Sequence, residues 1–233
     1  MDEKWNSVDK RRSGKYSGDI MELLCIVVGP FEVNCYLYWD PKSGDGVIVD
    51  PGFDADRIAS AVENEGITPR AILLTHGHGD HIAAVREIKD RYEIPVYVGK
   101  GEEELLANPS ANVSALLGAP IVAPKPDHLV EDEQVIKIGS LILRVLMTPG
   151  HTVAGVCYLD ETEGRLFCGD TLFAGGVGRT DLPGGSMDTL LKSIHNKILR
   201  LPDQVICYPG HGPHTTVGTE RVSNPFLVGG GFA

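Results

Sequence analysis

The chain has 233 residues, and its 21 lysines and arginines against 32 aspartates and glutamates give a formal net charge of −11. This acidity argues against a nucleic-acid-binding or anionic-membrane surface, because such surfaces are bound mainly through lysine and arginine. With 42% hydrophobic and 23% charged residues, the composition excludes disordered, collagen-like and coiled-coil chains.

The ends of the chain suggest its organisation and location. The first twenty residues contain no apolar segment typical of secretory signals. The first apolar run opens at Met21, so we predict a flexible extension at 1–20 and a single domain over 21–233. No apolar stretch approaches the roughly 20 residues that span a bilayer. The five cysteines form no close pairs, which favours reduced thiols, and we expect a cytoplasmic protein.

The first half of the domain is predicted to alternate strands and helices. Short runs rich in valine, isoleucine, leucine and tyrosine, separated by glycine and proline turns, indicate strands, and apolar residues at helical spacing indicate helices. Asp54 is a candidate cap for the first helix. The predicted strands are 22–28, 34–39, 46–49, 71–74 and 94–98, and the predicted helices are 54–65 and 81–92. Residues 102–130 are expected to form a mobile or variable insert with short helices at 102–107 and 113–117.

The second half repeats this make-up. Strands are predicted at 134–138, 141–146, 155–159, 165–168 and 204–208, with a helix at 187–199. Two halves of similar composition that face each other predict an α/β four-layer sandwich, with two sheets between outer helices.

A cluster of metal-ligand side chains follows the predicted strand 71–74. His76 and His78 are two residues apart, so both point the same way in an extended segment and can bind one metal. Asp80 and His81 lie past the bend, where they suit a second metal. The intervening glycines permit backbone angles that other residues resist.

Three further candidate ligands follow other predicted strands. His151, Asp170 and His211 each come directly after a glycine at the end of an apolar run. A lone loop histidine is usually solvated or bonded within the core, but this many at similar turns favour a shared metal site. Imidazole and carboxylate ligands without thiolate suit zinc, iron or manganese, which leaves the metal open.

The cluster His76-x-His78-x-Asp80-His81, with His151, Asp170 and His211 in this order, resembles the metallo-β-lactamase superfamily. The stretches 49–52, 169–173, 178–181 and 209–213 are most similar to its glyoxalase II group, in the short bacterial form. The resemblance implies an αββα sandwich with two divalent metals at one edge of the sheets. It assigns the first metal to His76, His78 and His151, the second metal to Asp80, His81 and His211, and the bridge between them to Asp170.

The chemistry follows from two such metals, zinc first and iron or manganese as alternatives. A bridging water would become a hydroxide near neutral pH and attack a thioester carbonyl, while a metal polarises that carbonyl. Asp80 and Asp170 are the candidate catalytic residues, since Asp80 can also accept a proton. The expected partner is a small-molecule thioester, glutathione-linked in the S-lactoylglutathione case, and the oligomeric state is left open.

Substrate contacts are harder to predict. Longer glyoxalase II enzymes use a helical C-terminal domain for glutathione, but only 22 residues follow His211 here. Arg179 is the best-placed cation for a substrate carboxylate, and the alternative is that it pairs with Asp181 and holds the loop. Asp50 is expected to orient a ligating histidine through its other ring nitrogen, and His214 is a second candidate for such a supporting bond.

Two other activities remain open. A persulfide dioxygenase with one iron shares the stretch 178–181 and would use only His76, His151 and Asp170 as ligands. A lactone hydrolase would use the same metals as the thioester hydrolase. A metal-binding module without catalysis explains seven ligands around one site poorly.

Overall fold

The computed structural model describes residues 21–228, so the predicted extension at 1–20 and residues 229–233 lie outside it. Two six-stranded sheets pack face to face, with helices on their outer faces. The predicted α/β fold with four layers is confirmed.

The first sheet contains the first six strands in chain order. Its first three strands are antiparallel to one another, and the next three are parallel to the third. The strands are β1 (Glu22–Val28), β2 (Val33–Trp39), β3 (Asp45–Val49), β4 (Thr68–Leu73), β5 (Val96–Gly99) and β6 (His128–Val130). The helices of this half are α1 (Ala55–Asn64), α2 (Gly79–Ile82), α3 (Val85–Tyr92) and α4 (Glu103–Ala107).

The second sheet is mostly antiparallel, in the spatial order β14-β13-β10-β9-β8-β7. Its strands are β7 (Val135–Ile138), β8 (Leu141–Met147), β9 (Val156–Asp160), β10 (Arg165–Gly169), β13 (Ile206–Pro209) and β14 (Thr215–Thr216). A separate hairpin pairs β11 (Leu172–Phe173) with β12 (Gly176–Val177). The helices are α5 (Met187–Asn196) and α6 (Val217–Ser223).

Strand β2 shows how the layers are built. Alternate side chains of a strand point to opposite faces of the sheet, and both faces are covered here, so all seven residues of β2 are buried. Tyr36 and Tyr38 pack between the two sheets, while Cys35 and Leu37 pack against the helices of the first half. In the same layer as Cys35, α1 buries Ile58 and Val62. A third cluster lies between the second sheet and α5.

Three local predictions are wrong. The predicted helix 81–92 is two helices, because the backbone N–H of Ala84 donates to the carbonyl of Pro51 (3.0 Å) at the break. Asp54 precedes α1 but makes no side-chain cap; its carboxylate accepts from the backbone of Gly29 instead (2.9 Å). The predicted insert 102–130 does not extend to residue 130, since His128–Val130 form β6, which pairs with β5 in the first sheet. The two short helices predicted within it are present, as α4 and a 3-10 helix at Ser114–Leu117. Within residues 21–228, no helix is both long and apolar enough to cross a membrane.

Candidate metal centre

The sheet topology gathers the candidate ligands at one edge. Strand β10 is parallel to β13, and β8 runs in the same direction because β9 is antiparallel to both β8 and β10. The carboxyl ends of β8, β10 and β13 therefore meet at one edge of the sheet. His151 follows β8, Asp170 follows β10 and His211 follows β13.

The other four candidates lie between the end of β4 and the end of α2. His76 and His78 are buried in extended or loop backbone, whereas Asp80 and His81 lie in the single turn of α2. The bend at the start of α2 separates the two pairs. The structure brings all seven sequence-predicted ligands together.

The side chains form three overlapping groups, each with its ligand atoms within 4.8 Å of one another. The groups are His76, His78 and His151; His76, His81 and Asp170; and Asp80, His81 and His211.

Asp170 lies between the histidine groups. Its Oδ1 is 3.5 Å from His81 Nε2, and its Oδ2 is 3.6 Å from both His151 Nε2 and His211 Nε2. Asp80 Oδ2 is 3.4 Å from His211 Nε2. One carboxylate thus contacts histidines from both halves of the cluster.

Hydrogen bonds orient four of the histidine rings. His81 Nδ1 donates to Asp50 Oδ2 (3.1 Å), because a carboxylate can only accept. His151 Nδ1 donates to the carbonyl of Arg179 (2.7 Å), and His211 Nδ1 donates to that of Phe31 (3.0 Å). Each of these rings then presents its Nε2 atom to the centre.

The fourth ring is His76. Thr75 Oγ1 donates to Asp50 (2.6 Å), so the same oxygen accepts from His76 Nδ1 at 3.1 Å. His78 differs, since its Nδ1 faces His151 Nε2 at 2.9 Å.

The pKa values of the histidines differ between the two halves of the cluster. Burial and the neighbouring imidazoles hold the pKa of His76 well below its usual value, and burial lowers the pKa of His78 to about 3. At His81, burial acts to lower the pKa, but the neighbouring carboxylates of Asp80, Asp170 and Asp50 have the larger effect. The pKa of His81 is therefore raised to about 10. Burial acts to raise the pKa of Asp80, but His81 and His211 dominate and hold it below its ordinary range.

These residues fit divalent metals. The buried Nε2 atoms of His76, His78 and His81 and the Oδ1 of Asp170 have no hydrogen-bond partner among the described residues. Such orphaned buried atoms are costly unless something binds them. Imidazole nitrogens and carboxylate oxygens are the donors that zinc, iron and manganese accept.

Two supporting side chains escaped the sequence analysis. Glu102 is fully buried and accepts from the backbone N–H groups of Gly77 and Ala154, both at 2.8 Å. It therefore joins the loop of the first two histidines to the loop after His151. No sequence signal separates it from the two glutamates that follow it.

Asn34 is the second, and it supports the His211 loop. Its side-chain amide donates to the carbonyls of Pro209 (3.0 Å) and Gly212 (2.8 Å), on either side of that histidine. Gly210, in the same loop, packs so closely on the centre that a Cβ there would lie 2.6 Å from His81 Cε1 and would collide with Asp170 Oδ1.

The two remaining candidates have other neighbours. Arg179 lines the cavity over the cluster, and its guanidinium donates to both carboxylate oxygens of Asp181, at 2.7 and 2.8 Å. The ring of His214 packs on Tyr208, with 5.9 Å between centroids. Substrate binding by Arg179 and ring support by His214 stay predictions.

A four-layer αββα sandwich with histidines and carboxylates gathered at one sheet edge is the architecture of a metal-dependent hydrolase. The model of the metallo-beta-lactamase superfamily matches residues 28–211. The chain belongs to the metallo-beta-lactamase superfamily, and it binds divalent metal through the histidine and aspartate cluster.

Two relatives match nearly end to end. The probable metallo-hydrolase YqgX of Bacillus subtilis is 44% identical over 204 residues, which is 87% of this chain and 95% of the relative. Hydroxyacylglutathione hydrolase GloC of Haemophilus influenzae is 35% identical over 209 residues, covering 89% and 98%.

Three solved structures share the fold and also have appreciable sequence identity to this chain. BLEG-1 B3 metallo-beta-lactamase has 45% identity, a TM-score of 0.86 and coverage of 89% of this chain and 100% of that one. TTHA1623 in a di-iron-bound form has 35% identity, a TM-score of 0.79 and coverage of 88% and 100%. ETHE1 from Myxococcus xanthus has 27% identity, a TM-score of 0.72 and coverage of 87% and 83%.

Proposed function

We propose that the protein is a dinuclear metallo-hydrolase that cleaves a thioester of the hydroxyacylglutathione type, such as S-lactoylglutathione. One observation carries the proposal: the carboxylate of Asp170 lies within 3.6 Å of His151 on one side and of His81 and His211 on the other, which favours a site for two metals over a site for one. The similarity to GloC supports the thioester, and the di-iron form of TTHA1623 supports two metals.

The proposed ligand sets correspond to two of the three groups, and the third group contains Asp170 with one histidine from each set. His76, His78 and His151 would hold the first metal, Asp80, His81 and His211 the second, and Asp170 would bridge them. When bound, two divalent ions would supply a hydroxide at neutral pH and a Lewis acid for the substrate carbonyl. Zinc is the leading candidate, with iron or manganese as alternatives.

The protein's own residues prepare this chemistry. Lowered pKa values leave His76 and His78 neutral, so their lone pairs are free for a metal. Asp80 is ionised and borders the cavity, where it can accept a proton from the attacking water. The thiolate is a good leaving group and needs little acid assistance. No side-chain nucleophile is required.

Persulfide dioxygenation is the competing activity, and the similarity to ETHE1 favours it. That reading uses His76, His151 and Asp170 and gives no role to Asp80, His81 and His211. These three side chains lie close enough together to hold one metal, and Asp50 accepts from His81, which supports hydrolysis. Lactone hydrolysis by the same residues is the third candidate.

The test compares substrates and one variant. Metal-loaded protein is assayed for loss of S-lactoylglutathione, for hydrolysis of a lactone and a β-lactam, and for oxygen uptake with glutathione persulfide. We expect thioester hydrolysis, reduced more than about 100-fold in His81→Ala, beyond the usual loss for a supporting contact around a metal. His128→Ala is the matched control, because that ring stacks on Tyr97 on an edge strand. Oxygen uptake that survives in His81→Ala would replace the proposal with the dioxygenase.

A further inference from the structure

The cavity over the candidate metal centre is large, and apart from the candidate ligands its wall is mostly apolar. Its volume is about 650 Å³, within the range of roughly 300–1,000 Å³ typical of small-molecule sites. Five of the seven candidate ligands line it. The rest of its lining is apolar apart from Arg179, and the apolar residues are Phe31, Val113, Leu116, Phe173, Val177 and Leu182.

The charge available to a substrate there is small. Arg179 is the one arginine or lysine among the described lining residues, and its guanidinium donates to both carboxylate oxygens of Asp181. This pairing offsets part of the charge that Arg179 offers to a substrate carboxylate. The described wall thus has one arginine, already paired, for the two carboxylates of a glutathione carrier.

Two residues of the apolar wall are exposed to solvent. The Leu116 side chain is 81% exposed and Phe31 is 42% exposed, although both are large and apolar. They come from separate segments, the turn between β1 and β2 and the short 3-10 helix over Ser114–Leu117. Phe173 and Val177, from the β11–β12 hairpin, add to the same cavity. Contiguous exposed apolar surface of this kind marks a binding site more often than chance.

We infer that this wall binds an apolar acyl group, so that among the thioesters cleaved at the centre those with longer aliphatic or aromatic acyl chains react faster than S-lactoylglutathione. The inference rests on the proposed function, since the carbonyl must reach the metal centre while the chain lies on the wall. Each methylene buried against the wall removes apolar surface from water and adds to the binding free energy. The acyl group therefore contributes more to substrate binding than the thiol carrier does.

The first experiment varies the acyl group on one carrier and the carrier under one acyl group. Acetyl, butyryl, hexanoyl and octanoyl thioesters of glutathione and of N-acetylcysteamine are compared on metal-loaded protein. We expect kcat/KM to rise by up to about fourfold per methylene and to differ little between the two carriers. Equal rates along the acyl series, or a rate set by the carrier, would overturn the inference.

The variant test removes part of the wall. Leu116→Ser is expected to lower the ratio of octanoyl to acetyl kcat/KM severalfold, since an exposed side chain is replaced without opening the core. Val135→Ser is the control, because Val135 is 60% exposed on the edge strand β7 and does not line the cavity. An unchanged ratio in Leu116→Ser would contradict the inference.

A binding series separates this inference from the proposed function. Acetate, butyrate, hexanoate and octanoate are titrated into the metal-loaded protein by calorimetry, which requires no turnover. Affinity that rises with chain length supports the apolar wall even if no thioester is cleaved, and equal affinities refute it. Cleavage of every thioester at the same rate would leave the proposed function standing and remove only the acyl preference.

Discussion

Glu102→Gln tests the link between the buried glutamate and the first candidate metal group. The two carboxylate oxygens each accept one backbone N–H, from Gly77 between His76 and His78, and from Ala154 three residues after His151. Glutamine has the same shape but offers one oxygen and one NH2 group. One of the two buried N–H groups must then face a donor.

The cost follows from that unsatisfied contact. A buried donor left without an acceptor costs about 1–3 kcal/mol. If the loops relax by moving the histidines, the affinity of the first metal group falls by about 5-fold to 150-fold. Burial raises the pKa of Glu102, and the nearby Thr152 hydroxyl and the N–H groups of Ala154 and Gly77 oppose that shift, so these contacts favour the ionised form.

The assay is a metal titration against a competing chelator, with thermal unfolding of the metal-free protein measured in parallel. Glu104→Gln is the control, because it makes the same change on an exposed glutamate two residues along. Weakened first-step affinity in Glu102→Gln alone is the predicted result. Affinity equal to that of the unchanged protein, in a folded variant, would refute the argument that Glu102 positions the ligands.

Two further predictions concern the second candidate group. Because carboxylates raise the pKa of His81 to about 10, the metal-free protein holds this proton at pH 7, and metal binding must release it. Calorimetry in buffers of different ionisation enthalpy should show that release, with affinity rising towards pH 10, and a smaller release in His81→Ala. Gly210→Ala should lose about one metal equivalent, because its Cβ would strike Asp170 and His81, whereas Gly176→Ala, with ordinary contacts, should keep both. Retention of both metals in Gly210→Ala would contradict this packing.

The ligand positions were predictable because each ligand follows a strand that the sequence marks clearly. Apolar runs that end in a glycine before His151, Asp170 and His211 place these side chains at strand ends, and parallel strand direction then brings the ends together. The same logic predicted the two sheets. Local patterns therefore contain most of the fold and the candidate ligand set.

What escaped prediction depends on contacts distant in the chain. The break between α2 and α3 falls at alanines, which favour helix, and it arises from the bond of Ala84 to Pro51. Strand β6 has three residues and forms by pairing with β5. Glu102 looks like its acidic neighbours until folding buries it between two loops.

Elemental analysis of protein purified without added metal, and again after saturation and removal of excess metal, tests the two-metal site most directly. Zinc, iron and manganese are counted per chain. The account predicts about two equivalents in the saturated protein, reduced to about one when His81 is replaced by alanine. One equivalent in the saturated protein, unaffected by that replacement, would contradict a dinuclear site bridged by Asp170.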